Sequence, residues 1–260
     1  AAARRLRVEQ ELRRAIGTAD LCLHYQPIAD PRSRIPFAFE ALMRWHHPEL
    51  GPISPAEFIP LAEENGSILD LGALAVAEAA RQAAIWRDWI GDGRYLSVNV
   101  SARQLADMDV PALFAAALKQ ERLPPSALVC ELTETVAADS HAGPLLHDLR
   151  AMGVRIALDD FGVGYSSLGM LRQLPVDLVK LDRSLVVEAA KDASGRQLLL
   201  GMAGVIGALG LKVIAEGVES EAQLAIAAEA SCTGVQGYLI GAPMAAAAAA
   251  GMMAGAARQG

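Results

Sequence analysis

Two rhythms of apolar positions alternate along the chain. Short, nearly continuous apolar runs cover residues 21–28, 37–45, 95–100, 127–133, 154–159, 176–181, 211–215 and 234–239. They are too short for independent helices and rich in Val, Ile and Leu, so they read as strands buried on both faces. Between them lie longer stretches with apolar residues at every third or fourth position: 55–65, 69–89, 102–122, 142–152, from about 166, 193–209 and 220–230. These read as helices, and in the 193–209 stretch Leu198, Met202, Ile206 and Leu209 keep helical spacing. Pro243 opens an Ala-rich final helix, whose 245–250 run is a strong helix former without visible function. Residues 1–16 read as a charged helix with sparse apolar positions at Leu6, Leu12 and Ile16. Such a stretch could be part of the fold as easily as an interdomain connector; residues 1–18 are expected as a helical connector ahead of a domain spanning 19–260.

About eight apolar strands, each followed by a helix, imply a parallel sheet covered on its outer face. The natural closure is a TIM-type (β/α)8 barrel, an α/β fold of about 250 residues. A doubly wound open sheet is the alternative, but no GxGxxG fingerprint follows the first strand.

In such barrels chemistry sits at the C-terminal ends of the strands. There this chain places Glu40, Asn99, Glu131, the pair Asp159 and Asp160, Lys180, Glu216 and Gln236. A single member reads most simply as a solvated loop residue or a helix cap. The recurrence at the same place in successive units does not. A buried strand that finishes in two adjacent acids needs something to offset their charge, and a divalent cation is the usual agent. Five acids and one amide exceed what one Mg²⁺ takes from protein, so two metals sharing a bridging Asp fit better.

Composition narrows the classes. The hydrophobic content of 53% supports a sizeable core, and the net charge of −7 argues against phosphate-driven binding of nucleic acid polymers. Cys22, Cys130 and Cys232 are widely spaced and read as reduced core residues of a cytoplasmic protein. No signal peptide or membrane-spanning apolar run is visible, so this segment is not expected to contact a membrane. The chain opens Ala-Ala-Ala-Arg-Arg without an initiator Met and reads as a segment of something longer, which could itself be membrane-anchored.

Glu40-Ala-Leu42, inside Phe-Glu-Ala-Leu-Met-Arg-Trp, resembles the signature of the EAL-domain cyclic di-GMP phosphodiesterases. The tripeptide alone would mean little. It is accompanied in family order by Tyr25-Gln-Pro-Ile28, Pro55-Ala-Glu-Phe-Ile-Pro-Leu-Ala-Glu63 and Ser97-Val-Asn-Val-Ser-Ala102. Glu131-Leu-Thr-Glu134, Asp159-Asp-Phe-Gly-Val-Gly-Tyr-Ser-Ser-Leu168 and Val179-Lys-Leu-Asp182 follow, then Ala215-Glu-Gly-Val-Glu219 and Gln236-Gly-Tyr-Leu239. The motifs cover about residues 20–245.

The resemblance implies a barrel variant with room for one antiparallel strand, and hydrolysis of cyclic di-GMP to linear 5′-pGpG in bacterial second-messenger signalling. Carried onto this chain, it implies that Glu40, Asn99, Glu131 and Asp159 hold one Mg²⁺ or Mn²⁺, and that Asp159, Asp160 and Glu216 hold a second. Ca²⁺ is expected to inhibit. Lys180 would sit beside the attacking water, and Glu134 would anchor the 160–168 loop. Arg44 would meet a substrate phosphate, Gln26, Leu42 and Pro60 would line the guanine and ribose contacts, and Asp182, Glu219, Gln236 and Gly237 would complete the substrate rim. A homodimer and an upstream sensor or GGDEF domain are further expectations from the resemblance.

Competing readings attach to some of these residues. Lys180 could form a Schiff base as in aldolases, but surrounding carboxylates would hold its pKa high rather than depress it. The Gly162–Gly164 loop reads equally as a phosphate cradle or as a loop that orders around metal. His46 and His47 read as loop residues rather than ligands, and Trp86 and Trp89 as helix packing. Two departures stand out: Val163 where the family often has Thr, and Ile240-Gly-Ala-Pro243, which lacks the usual aromatic and basic residues. A catalytically weak cyclic di-GMP receptor is the alternative function. Receptors of this family typically lose the first Glu, the Asp pair or the loop, and this chain keeps all three.

Overall fold

A computed structural model describes residues 2–91, 93–138, 142–163 and 168–256. Its strands are β1 (Leu21–Ala29), β2 (Pro36–His47), β3 (Gly51–Ile53), β4 (Tyr95–Asn99), β5 (Leu128–Thr133), β6 (Arg155–Phe161), β7 (Leu178–Leu181), β8 (Lys212–Ala215) and β9 (Gly234–Gln236). They hydrogen-bond in the order β1-β9-β8-β7-β6-β5-β4-β2-β3, and a further β1–β2 pairing closes the ring. The result is a barrel of eight strands, with the short β3 lying outside it on the edge of β2.

Parallel pairing runs from β2 through β9, as the apolar runs predict. The expectation that every strand is followed by a helix fails at the first one. β1 is antiparallel to both β2 and β9 because the chain turns straight back after it. Asp30 makes that turn: its Oδ1 accepts from the backbone N of Arg32 at 2.9 Å and Ser33 at 2.7 Å, and Arg34 adopts φ 58°. An Asp capping the two following amides is a turn signal that needs no helix to reverse the chain.

Strand alternation sorts the barrel interior into layers. Ile28, Ala38, Tyr95, Val129, Ala157, Leu178 and Ile214 form one buried apolar cluster. Two residues farther along the parallel strands, on the same face, stand Glu40, Ser97, Glu131, Asp159, Lys180 and Glu216. Because β1 runs the other way, its residue at that level comes two positions earlier: Gln26, directly opposite Glu40. A larger apolar shell outside the barrel packs the helices, among them Trp86 against Tyr25 and Phe39.

Several elements differ from the sequence reading. The 102–122 helix is two, Ala102–Asp107 and Val110–Glu121, because Asp109 caps the second by accepting from Ala112 N and Pro111 can only begin a helix. A helix at Arg183–Ala189 was not foreseen; Asp182 caps it. β2 extends through His46 and His47, so these are strand residues rather than loop, and His47 Nδ1 accepts from the backbone N of Glu49 and Leu50. The final helix starts at Ala246 instead of Pro243, since Met244 exchanges backbone hydrogen bonds with Tyr25 of β1. β9 ends at Gln236 rather than 239.

The helix Ala2–Ala15 lies on the barrel, with Val8, Leu12 and Ala15 buried among Trp45, Phe58 and Leu61. Among the described residues no helix is long and apolar enough to cross a membrane. Leu12 is fully buried, so Leu12→Ala should cost about 2–5 kcal/mol in chemical denaturation. A loss below about 0.5 kcal/mol, the range of an ordinary surface change, would mean that this helix frays independently of the barrel.

Candidate active site

Lys180 stands at the centre of the polar layer with 1% of its surface exposed. Its Nζ lies 3.2 Å from Glu40 Oε2, 2.7 Å from Glu216 Oε1 and 3.3 Å from Asp159 Oδ1, and it donates to Glu131 Oε1. Four strands besides its own thus converge on one ammonium. Burial alone would favour a neutral amine, but Glu131, Glu216, Glu40 and Asp159 outweigh it and hold Lys180 well above the ordinary lysine range. A nucleophilic amine of the aldolase kind is therefore disfavoured.

One cation cannot neutralise four carboxylates, two of them buried and two partly buried. Burial first, then the neighbouring acids, pushes Glu131 well above the usual carboxylate range and Glu216 up to about 8. Asp159 is held low, because the attraction of Lys180 and a backbone hydrogen bond from Asp160 overcome its burial. Oε2 of Glu131 is buried with no hydrogen-bond partner. The layer therefore contains more anionic oxygen than the protein itself satisfies.

Asp159 and Asp160 reach this centre together through a backbone irregularity. Successive residues of a strand point to opposite faces. Here the β6–β7 register shifts between Leu158 and Phe161, and Asp160 takes the left-handed φ of 54° that Asp tolerates better than most residues. The strand continues through Phe161 instead of ending at the two acids. As a result one oxygen each of Asp159, Asp160 and Glu216 lie within 4.8 Å of one another. Glu40, Glu131 and Asp159 meet the same criterion, so two carboxylate groups share Asp159. An all-oxygen donor set of this kind suits hard divalent cations.

Two amides flank the carboxylates. Asn99 donates to Glu40 Oε1 at 2.7 Å. Gln236, buried at the end of β9, donates to Glu40 Oε2 at 2.6 Å and approaches Gln26 Oε1 at 3.2 Å. Gln26 donates in turn to the carbonyl of Gly241 at 3.3 Å. Both glutamines, expected as substrate contacts, thus form a relay that orients Glu40.

Beside this centre opens a cleft of about 330 Å³. Leu42, Arg44 and Asn99 line it together with Ile59 and Glu63 of the helix Pro55–Asn65. Arg44 is half-buried, and its Nη1 donates to its neighbour's carbonyl, Met43 O, at 2.8 Å. Sequence reasoning missed Ser101, Gln104 and Thr133, which also line the cleft. Thr133 ends β5, Ser101 caps the helix that follows β4, and Gln104 lies in the first turn of that helix.

The remaining expected residues are placed as follows. Pro60 is exposed on the helix whose Ile59 faces the cleft. Asp182 caps its helix through Ser184 N at 2.8 Å, and its charge helps burial and Asp159 raise Asp160. Glu219 pairs with Arg183 at 3.0 Å. Gly237 is required by packing, since a Cβ there would come within 2.1 Å of Val218 O. Glu134 begins the short helix after β5, while residues 164–167 of the loop it was expected to anchor lie outside the described residues. Gly162 has φ +103°, and a Cβ on it would meet Leu185 at 2.6 Å, which accounts for this glycine without a phosphate.

Comparison with known proteins gives a consistent picture. The EAL domain family model matches residues 9–243. The bifunctional diguanylate cyclase/cyclic di-GMP phosphodiesterase MucR of Pseudomonas aeruginosa is 39% identical over 241 residues, which are 92% of this chain and 35% of that protein. The cyclic di-GMP phosphodiesterase PdeR of Escherichia coli is 38% identical over 239 residues, covering 91% and 36%. The chain thus spans about a third of the length of these relatives. A solved structure of the MucR phosphodiesterase in complex with c-di-GMP superposes with a TM-score of 0.87 at 38% identity, covering 94% of this chain and 99% of that one. With the strand-end carboxylates, the closed barrel and the match over most of its length in agreement, the chain belongs to the EAL domain family.

Proposed function

We propose that this chain is a phosphodiesterase that hydrolyses cyclic di-GMP to linear 5′-pGpG. The observation that carries the reading is the pair of carboxylate groups that share Asp159 around a buried, protonated Lys180. The named activities of MucR and PdeR and the c-di-GMP bound to the MucR structure support the same substrate.

Glu40, Asn99, Glu131 and Asp159 on one side, and Asp159, Asp160 and Glu216 on the other, would hold two divalent cations, Mg²⁺ or Mn²⁺. When bound, these would bring the pKa of a water toward neutrality and offset phosphoryl charge. The rest falls to side chains. Lys180, protonated at neutral pH, acts as a donor and not as a base: it holds the carboxylates in place and orients the water. Gln236 and Asn99 fix Glu40 from two directions. Arg44 receives a phosphate of the dianionic substrate, a role for which its fork of donors is suited, while Leu42 supplies apolar contact in the cleft. The water oxygen bonds to phosphorus in line with the departing 3′-oxygen and the P–O3′ bond breaks. One water proton ends on the 3′-oxygen and the other leaves to solvent. The homodimer, an upstream sensor or GGDEF module, and a cytoplasmic setting belong to the same proposal.

Incubation with cyclic di-GMP and Mg²⁺ or Mn²⁺, followed by nucleotide chromatography, should yield pGpG. Glu40→Ala should lower kcat by more than about 100-fold, and Ca²⁺ should inhibit because its looser geometry places water poorly. Binding without product in the unaltered chain would replace the enzyme with a receptor.

Glu216 sets a pH dependence. Its folded value of about 8 lies above its ordinary 4.5, so the metal-free fold keeps a proton that the unfolded chain loses. That contribution to stability is complete at low pH and is lost as pH rises through about 8. In chelator, Tm should fall as pH rises from about 4.5 to about 8 and level off above that. Divalent cations need the ionised carboxylate, so their binding should release protons and tighten up to about pH 8. Titration calorimetry in buffers of different ionisation enthalpy measures this, and no proton release at pH 7 would contradict it.

A further inference from the structure

The opposite end of the barrel carries a second concavity. Where β6, β7 and β8 begin, a cavity of about 500 Å³ is lined by Arg150, Arg155, Arg172 and Lys212, with Asp177 as the one acid among the described lining residues. Along β6, Arg155 precedes Asp159 by about 13 Å of strand rise, so this cavity is separate from the carboxylate centre. Its floor is apolar, with Leu171, Leu174 and Leu211.

The charges here are unbalanced in the opposite sense to the whole chain, whose net charge is −7. Asp177 lies 3.6 Å from Arg150, but its other oxygen already accepts from Ile156 N at 3.0 Å. Arg172 and Lys212 have no ion-pair partner among the described residues. Arg155 is held in place: its guanidinium sits 4.3 Å over the Tyr95 ring and donates to Ser126 O at 2.9 Å. Its Nε is buried with no acceptor. Like charges gathered in a concavity repel one another unless an anion joins them, and Arg155, lining the cavity and already fixed by Tyr95 and Ser126, loses little freedom in receiving one.

We propose that this cavity is a binding site for a nucleoside polyphosphate, with Arg155, Arg172 and Lys212 taking the phosphates and the leucine floor taking the base. Its size falls within the usual range for small-molecule sites, about 300–1,000 Å³. A lone inorganic anion would leave the floor uncovered, and a neutral ligand would leave the cations unanswered. With one acid at its wall, the site takes the nucleotide without a divalent cation.

The test is calorimetric titration of the 260-residue chain with ATP, GTP and inorganic pyrophosphate, all in chelator so that the carboxylate centre holds no cation. One nucleotide should bind per chain, more tightly than pyrophosphate and more weakly as salt rises. The exposed double variant Arg172→Glu/Lys212→Glu should weaken it by about tenfold or more while keeping the far-UV spectrum and the turnover of cyclic di-GMP. Arg44→Ala should leave it unchanged. Absence of saturable binding would overturn the proposal, as would loss in the Arg44 variant with none in the charge-reversed one. Equal affinity for pyrophosphate and ATP would overturn the assignment of the floor to a base.

Discussion

The buried ammonium of Lys180 is the interaction on which the polar end of the barrel depends. Four acids drawn from four other strands could not share that depth without it, since each would face both desolvation and its neighbours' repulsion. Lysine satisfies the layer only in part, and the deficit is chemically useful. Glu216, pushed up to about 8, keeps its proton near neutrality until stronger countercharge arrives, so the layer tolerates the absence of metal yet remains ready to exchange that proton for a cation. A fully neutralised layer would be a more stable core and a poorer site.

Much of this was legible in the sequence because the side-chain period of a strand is two. Ala157 and Asp159, Val129 and Glu131, and Leu178 and Lys180 each report an apolar level followed by a polar one on the same face. Six parallel strands repeating that transition identify the rim before any fold is seen. What was not legible depended on direction or on dihedral angle. An apolar run reads the same forwards and backwards, so the reversal of β1 was hidden, and with it the reason that Gln26 faces Glu40. Likewise nothing in the pair Asp159-Asp160 announces the left-handed backbone that lets both point to one centre. The short helix at Arg183–Ala189, which Asp182 caps, spans only seven residues, too few for a helical period to stand out.

Gln236 illustrates the same limit from the functional side. Residue type and position marked it correctly as a rim residue, but its neighbours decide what it does there. Both contacts of its amide nitrogen go to protein, to Glu40 and Gln26, while its amide oxygen is buried without a partner. The cleft beside it shows the complementary case: Leu42 and Arg44 stand on its wall, while Pro60 is exposed in the interior of the helix whose Ile59 lines it.

The closure of β9 onto β1 has a kinetic consequence. The bond from Gln236 to Glu40 spans 196 positions of chain and the approach to Gln26 spans 210. On a ribosome, the strands that bear the acids emerge long before the residue that orients the first of them. The growing domain can collapse around its parallel strands, and Asn99 can already hold one oxygen of Glu40, but the seam stays open and the other oxygen lacks Gln236 until β9 has emerged. Contacts of such long sequence separation are the slowest to form. The centre is therefore assembled last, and only a chain that has closed its barrel possesses it.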